Sequence, residues 1–279
     1  MNVLVTHPAA AGPFSVSPAV SLQERRTRTL KHGDTFAVFD HGGDILSGLG
    51  AVDGLYHRDT RHLSRLDLAL GGVRPLLLSS ALGADNVMLT ADLSNATLPA
   101  HGAGALEKGV IHVRRSLFLA DGTCHVRLAL RNFAAMRHRL RLELRFAADF
   151  ADLFEVRGRN RERRGETLPA VAVDGHVTLS YRGLDGAVRA TRLGFTPAPQ
   201  TLTGEAAVFD LELEPQGRAL IFLEIACAPE GAPPPPRAAF LANLVQTRRG
   251  LRASAARAAA IASPHAEFGE TMRRSADDL

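Results

Sequence analysis

The chain has 279 residues, enough to bury a sizeable core in one large domain or two smaller ones. Hydrophobic residues make up 46% and charged residues 22%, which excludes a disordered chain. The net charge of +4 is modest over this length, so only a concentrated patch would argue for a polyanionic partner, and no nucleic acid is expected. Nearly all the cations are arginine, Lys31 and Lys108 being the exceptions.

Residues 1–30 read as a loose tail punctuated by Pro8, Pro13 and Pro18 and closed by the basic run Arg25-Arg26-Thr27-Arg28. The first 20 residues lack a basic start and a continuous apolar run, so they are not a secretory signal. No stretch approaches the length of apolar sequence that a membrane span needs. Cys124 and Cys227 are too few for a disulfide framework and are expected to be reduced thiols in a cytoplasmic protein. Asn95-Ala96-Thr97 matches a glycosylation sequon, but without an export signal it carries no weight.

From Thr35 onward the hydrophobic period is two, the mark of half-buried strands. Residues 35–40 run into His41-Gly42-Gly43-Asp44, which reads as a hairpin turn. Leu66, Leu68 and Leu70 alternate with polar residues up to Gly71-Gly72. Val113, Arg115, Leu117 and Leu119 lead to Asp121-Gly122, with Val126, Leu128 and Leu130 as the return strand. Leu140, Leu142, Leu144 and Phe146 alternate with Arg141, Glu143 and Arg145 in the cleanest amphipathic strand of the chain. Further strands are punctuated by Asp174-Gly175, Asp185-Gly186 and Pro215-Gln216-Gly217, and the apolar run 219–226 suits a central strand. Roughly a dozen strands without alternating helices predict a mainly β protein, a large antiparallel β-sandwich of the supersandwich kind over residues 31–229. The proline run 233–236 then marks a semi-rigid linker, and the Ala/Leu/Arg-rich residues 237–263 predict a helix. Pro264 ends it, and 268–279 starts another helix in which Met272 and Leu279 share a face with nothing to pack against. On this pattern the chain is expected to be cut short.

Three constellations could carry chemistry. In residues 149–158, Asp149, Asp152 and Glu155 stand three apart, followed by Arg157. On a helical turn such residues share a face, so they could be a carboxylate pair for glycoside cleavage or for holding sugar hydroxyls. The alternative is a strand-end loop whose acids cap backbone groups and pair with Arg157 or Arg159. In Arg58-Asp59-Thr60-Arg61 two arginines flank an acid, an arrangement that suits a sugar hydroxyl or carboxylate and equally an internal salt-bridge clamp. His57 and His62 nearby lack a third ligand of convincing spacing, so no metal is expected. The loop 157–164 carries five arginines against Glu155 and Glu162, a surface for an anionic partner or a solvated loop. No nucleophile elbow, phosphate loop or dinucleotide fingerprint occurs, so no cofactor is expected. With no Trp and two Tyr, an autonomous carbohydrate-binding module is disfavoured.

Lys31-His32-Gly33-Asp34-Thr35-Phe36, Gly43-Asp44-Ile45, residues 54–64 (Gly54-Leu55-Tyr56-His57-Arg58-Asp59-Thr60-Arg61-His62-Leu63-Ser64), Leu77-Leu78-Ser79-Ser80 and residues 149–158 occur in this order. Together they resemble the N-terminal domain of bacterial and archaeal glycogen-debranching enzymes of the amylo-α-1,6-glucosidase type, over about residues 30–228. The resemblance implies a β-sandwich that precedes an (α/α)6 barrel bearing the hydrolytic acids, and residues 264–279 look like the first helix of that barrel. It therefore implies no catalytic residue in this chain and leaves open whether the chain is an enzyme. Its role would be to pack on the barrel and shape an α-glucan cleft, with Arg58, Asp59, Arg61, Asp149, Asp152, Glu155 and Arg157 as rim or scaffold. A free-standing module binding an anionic partner through the arginine loop is the other expectation.

Overall fold

The computed structural model describes residues 27–46, 52–83, 85–98, 105–229, 231, 235–255, 268–269 and 271–272. The strands are β1 (Arg28–His32), β2 (Thr35–Phe39), β3 (Gly54–His57), β4 (Thr60–Leu63), β5 (Arg65–Leu70), β6 (Leu76–Leu82), β7 (Met88–Ser94), β8 (Ile111–Ala120), β9 (Thr123–Asn132) and β10 (His138–Ala147). A helical turn α1 (Leu153–Val156) follows. Then come β11 (Glu166–Val173), β12 (His176–Arg182), β13 (Val188–Thr196), β14 (Thr201–Leu202), β15 (Ala206–Leu213), β16 (Arg218–Cys227) and helix α2 (Pro236–Ala255). β1 starts at Arg28, so the last residues assigned to the tail are strand.

The strands form three antiparallel sheets: β1-β2-β3-β4, β14-β15-β10-β5 and the eight-stranded β11-β12-β13-β16-β9-β8-β7-β6. The amphipathic pattern decides which faces meet. Leu140, Leu142, Leu144 and Phe146 of β10 are buried while Arg139 and Arg141 are exposed. They share one hydrophobic core with Leu66, Leu68 and Leu70 of β5, Val113 and Leu117 of β8, Val126, Leu128 and Leu130 of β9, and Leu30, Ala37, Leu55 and Leu63 of the small sheet. Each fully buried leucine or phenylalanine contributes about 1.5–3 kcal/mol relative to exposure, so this continuous core holds the sheets face to face. β16 lies in the middle of the large sheet, as its apolar run requires.

Tight turns set the register. Asp121-Gly122 and Asp174-Gly175 have φ of 43° and 74°, and of 48° and 75°, the left-handed pairs that close two-residue hairpins with the twist of the strands. The segment 41–44 does not behave as a hairpin. Asp40 Oδ1 accepts from the amides of Gly42 and Asp44, both at 2.8 Å, and the chain turns away so that Ile45 bridges Leu66 of another sheet. β2 pairs with β1 and β3 instead. The reason is a charge. Arg115 faces the core with no exposed side-chain surface, and its Nη1 donates to Asp44 Oδ1 at 2.5 Å and to the Gly42 carbonyl at 3.3 Å. Arg74 Nε donates to Asp44 Oδ2 at 3.1 Å, and its Nη2 reaches Asp40. Gly43 sits at φ +82°, and a Cβ there would lie 2.8 Å from the Leu117 side chain, so only glycine fits over the buried arginine.

α2 covers one end of the outer face of the large sheet. Phe240, buried, packs edge-on to Phe118 and Phe222, with ring centroids 5.0 and 5.6 Å away. Pro236 occupies the first helical position, where its missing amide costs nothing, so it belongs to the helix and not to the linker. The rest of the expected helix over 237–263 and most of the segment 264–279 lie outside the described residues. Among the described residues no helix is long and apolar enough to cross a membrane.

Candidate functional site

The fold brings together two motif segments that lie far apart in sequence, 54–64 and 149–158. β3 and β4 are joined by Arg58 and Asp59, both left-handed at φ 46° and 63°, so these residues are the two central positions of a hairpin turn. Their side chains are exposed, and they do not clamp each other. The outer edge of β4 then pairs with residues 151–153. Arg61 N donates to the Ala151 carbonyl at 2.8 Å, and Leu153 N donates to the Asp59 carbonyl at 3.1 Å.

Side chains complete the join. Arg61 holds Asp149 in a fork, Nε to Oδ1 at 3.1 Å and Nη2 to Oδ2 at 2.5 Å. Burial opposes the Arg61 charge, but the Asp149 carboxylate outweighs it and raises the guanidinium above its ordinary pKa. A Cβ on Gly54 would lie 2.6 Å from Arg61 Cδ, so this glycine gives the fork its room. Tyr56 stacks on Phe36 at 4.5 Å and donates its hydroxyl to the Val52 carbonyl at 2.7 Å. Burial raises the Tyr56 phenol, while Arg61 pulls the other way.

Between the acids, Phe150 is buried in a left-handed conformation at φ 50°, which costs a bulky residue about 1–3 kcal/mol. Its packing on Tyr181, stacked at 5.8 Å, and on the edge of His62, at 5.6 Å, holds it there. His62 Nδ1 is 3.1 Å from the Thr191 hydroxyl, and burial lowers its pKa to about 4. His57 Nδ1 is 2.8 Å from the Thr35 hydroxyl, and burial, then Arg58, lowers its pKa.

Asp152 and Glu155 form a capping box on α1. Asp152 Oδ1 accepts from the amides of Phe154 and Glu155, both at 2.9 Å, and Glu155 Oε2 accepts from the Asp152 amide at 3.0 Å. Asp152 also pairs with Arg161, and Glu155 with Arg164 at 3.1 Å. The expected partners Arg157 and Arg159 lie exposed just past the end of α1, and the ion pairs to these acids come from Arg161 and Arg164 farther along the loop. Asp149, Asp152 and Glu155 are thus each bound by arginine and backbone donors. A general acid or nucleophile needs a carboxyl free to meet its substrate, and both oxygens of each of these acids already face a donor.

Beside α1 lies an open depression of about 290 Å³ lined by Thr60, Phe150, Asp152, Arg163, Tyr181 and Arg189 among others. Arg189 is tied to Asp185 at 2.9 Å, and the Arg164 guanidinium lies 5.7 Å from the Tyr181 ring. Of the seven expected site residues, the fold therefore joins Arg61 to Asp149 and Asp152 to Glu155, and leaves Arg58, Asp59 and Arg157 exposed around them. It recruits Arg161, Arg164, Phe150 and Tyr181, which motif spacing does not single out. The buried Asp44–Arg115–Arg74 network is a second cluster that sequence reading passes over. Its one signal is an arginine in the inward-facing register of β8.

Residues 30–224 match the family described as the N-terminal domain of (some) glycogen debranching enzymes. No curated protein matches. Among solved structures the chain is similar to Putative kojibiose phosphorylase from human microbiome, at 9% identity and TM-score 0.47 over 80% of this chain and 32% of that one. It is also similar to Slr1438 protein from Synechocystis sp. PCC 6803, at 10% identity and TM-score 0.43 over 76% and 99% of the two chains. A third is a heparan sulfate lyase HepC mutant from Pedobacter heparinus, at 13% identity and TM-score 0.35 over 72% and 31%. The chain thus spans about a third of the first and third of these proteins. With TM-scores this low, none of the three carries functional weight.

Proposed function

The chain belongs to the family of N-terminal domains of glycogen debranching enzymes, and from that premise we propose that it is a non-catalytic sandwich that packs on a helical catalytic barrel and shapes an α-glucan cleft. One observation carries the reading: every carboxylate of the 149–155 motif is occupied by arginine and backbone donors, so the motif builds a rim and does no acid–base work. Arg58, Asp59 and Arg157 project from that rim and can meet sugar hydroxyls or the barrel. The packing role is supported by α2, whose inner side is buried through Phe240 while Leu241 and Val245, four residues apart, stay 56% and 49% exposed. The purified chain is expected to release no glucose from a branched dextrin. Release that disappears in Asp149→Asn or Asp152→Asn would make the chain an enzyme in its own right and overturn the reading.

A further inference from the structure

The outer face of the eight-stranded sheet carries cations that the fold leaves without counter-charges. β8, β9 and β16 place His112, Arg131 and Arg218 in one row, His112 opposite Arg131 and Arg131 opposite Arg218. Their chain neighbours Val113 and Leu130 belong to the core, so alternation puts this row on the far side. Like charges directly opposite each other destabilise a strand pair. His112 has a partner, since its Nε2 lies 2.9 Å from Asp92 Oδ1, and Asp92 also holds Ser79 and Arg114. Among the described residues neither Arg131 nor Arg218 pairs with a carboxylate. Glu212 at the end of β15 and Glu214 in the turn after it are taken by Arg137 and Arg139.

The surroundings of these arginines are built. Buried Asn132 donates to the carbonyls of Met136, Leu213 and Glu214, and accepts from the Ala134 amide. Gln216 donates to the Phe133 carbonyl at 2.8 Å. These bonds lock the turn after β9 to the turn before β16. Phe133 in that turn supports the Arg131 guanidinium, 4.6 Å from its ring centroid, and Arg131 Nε is buried without a hydrogen-bond partner among the described residues.

We propose that Arg131 and Arg218 form a binding site for a phosphate group, free or carried as a monoester. One guanidinium satisfies a carboxylate and would leave its neighbour unpaired. A phosphate carries close to two charges and enough acceptor oxygens for both. Asp92 of β7 is already held by three donors and does not compete, and Glu224, the acid that β16 itself places on this face, lies opposite His125 and away from the Arg131–Arg218 pair. The face is open, which suits a terminal phosphate and not an engulfed ligand. This site stands on its own observations and does not depend on the glucan reading.

The test titrates the isotope-labelled full chain with inorganic phosphate and, separately, with a phosphorylated hexose, ionic strength being held with sodium chloride. Arginine Nε–H resonances and Tm are the readouts. Two arginine resonances are expected to shift saturably in the millimolar range or below, with Tm rising by a few degrees. Both effects should vanish in the Arg131→Gln, Arg218→Gln double variant. Arg218→Gln alone should raise Tm in phosphate-free buffer by relieving the like-charge pair. Earlier saturation by the hexose ester would support the site with an ester as its ligand, and earlier saturation by inorganic phosphate would support it with the free anion. No saturable shift with either probe, or a phosphate effect retained in the double variant, overturns the proposal.

Discussion

Arg115 has no exposed side-chain surface, and it is held in the core by Asp44, itself only 4% exposed. Its Nε and Nη2 have no hydrogen-bond partner among the described residues. A charge in that position tolerates its desolvation only while its counter-charge stays, so the pair is costly to break and informative to delete. Asp44→Ala is expected to destabilise the chain by about 3–5 kcal/mol, because it strands a buried guanidinium. Adding Arg115→Met should recover most of that loss, since an apolar side chain of similar length restores packing without the charge. Urea denaturation of the two variants measures both. An Asp44→Ala cost below about 1 kcal/mol would mean that Arg115 finds other partners.

Among the elements, α1 is the shorter of the two helices described and the more dependent on its ends. Four residues cannot hold a helix by their own hydrogen bonds, since nucleation is unfavourable and every amide of the first turn is an orphan. The capping box answers the orphans, and Arg161 and Arg164 fasten the loop to the same two acids. Asp152→Ala removes the cap and the Arg161 partner together. It is expected to cost about 1–2 kcal/mol and to expose residues 157–164 to protease, whereas Glu155→Gln, which can still complete a capping box, should cost less. Limited proteolysis with mass mapping distinguishes the two variants. The box itself was open to sequence reading, in the three-residue spacing of Asp152 and Glu155. The arginines that pair with the acids were not, because 31 arginines offered themselves and only the path of the loop selected two.

In the whole molecule, neutral histidines sit where the layers meet. His62 of β4 bonds Thr191 of β13, and His125 of β9 lies under α2, 3.0 Å from the Asn243 side chain. Burial lowers both pKa values from 6.5 to about 4. Between those values the unfolded chain binds protons that the folded chain refuses, so stability falls as pH falls through that window and the loss is complete below about 4. The cost is about 2 kcal/mol per histidine at pH 5. His125→Gln should reduce the drop in unfolding free energy between pH 7 and pH 5 by about that amount. An unchanged drop would place the acid sensitivity elsewhere.

The sequence by itself determined the β class, most of the strands and the central place of 219–226, because a period of two and paired turn residues are local signals. The ordered motifs likewise determined the family. Tertiary structure decided what the motifs do. Asp149 meets Arg61 across 88 residues, and Arg115 meets Asp44 across 71, and no local pattern encodes partners at that range. The segment 41–44 shows the same limit: its glycines read as a hairpin, yet the buried charge of Arg115 turned them into a bend that carries the chain to another sheet. Arg58 and Asp59 show the converse, since a turn without glycine read as a clamp until the left-handed backbone placed it. Which charges stay unpaired, as at Arg131 and Arg218, also follows only from the packing, because neutralisation depends on where every other side chain comes to rest.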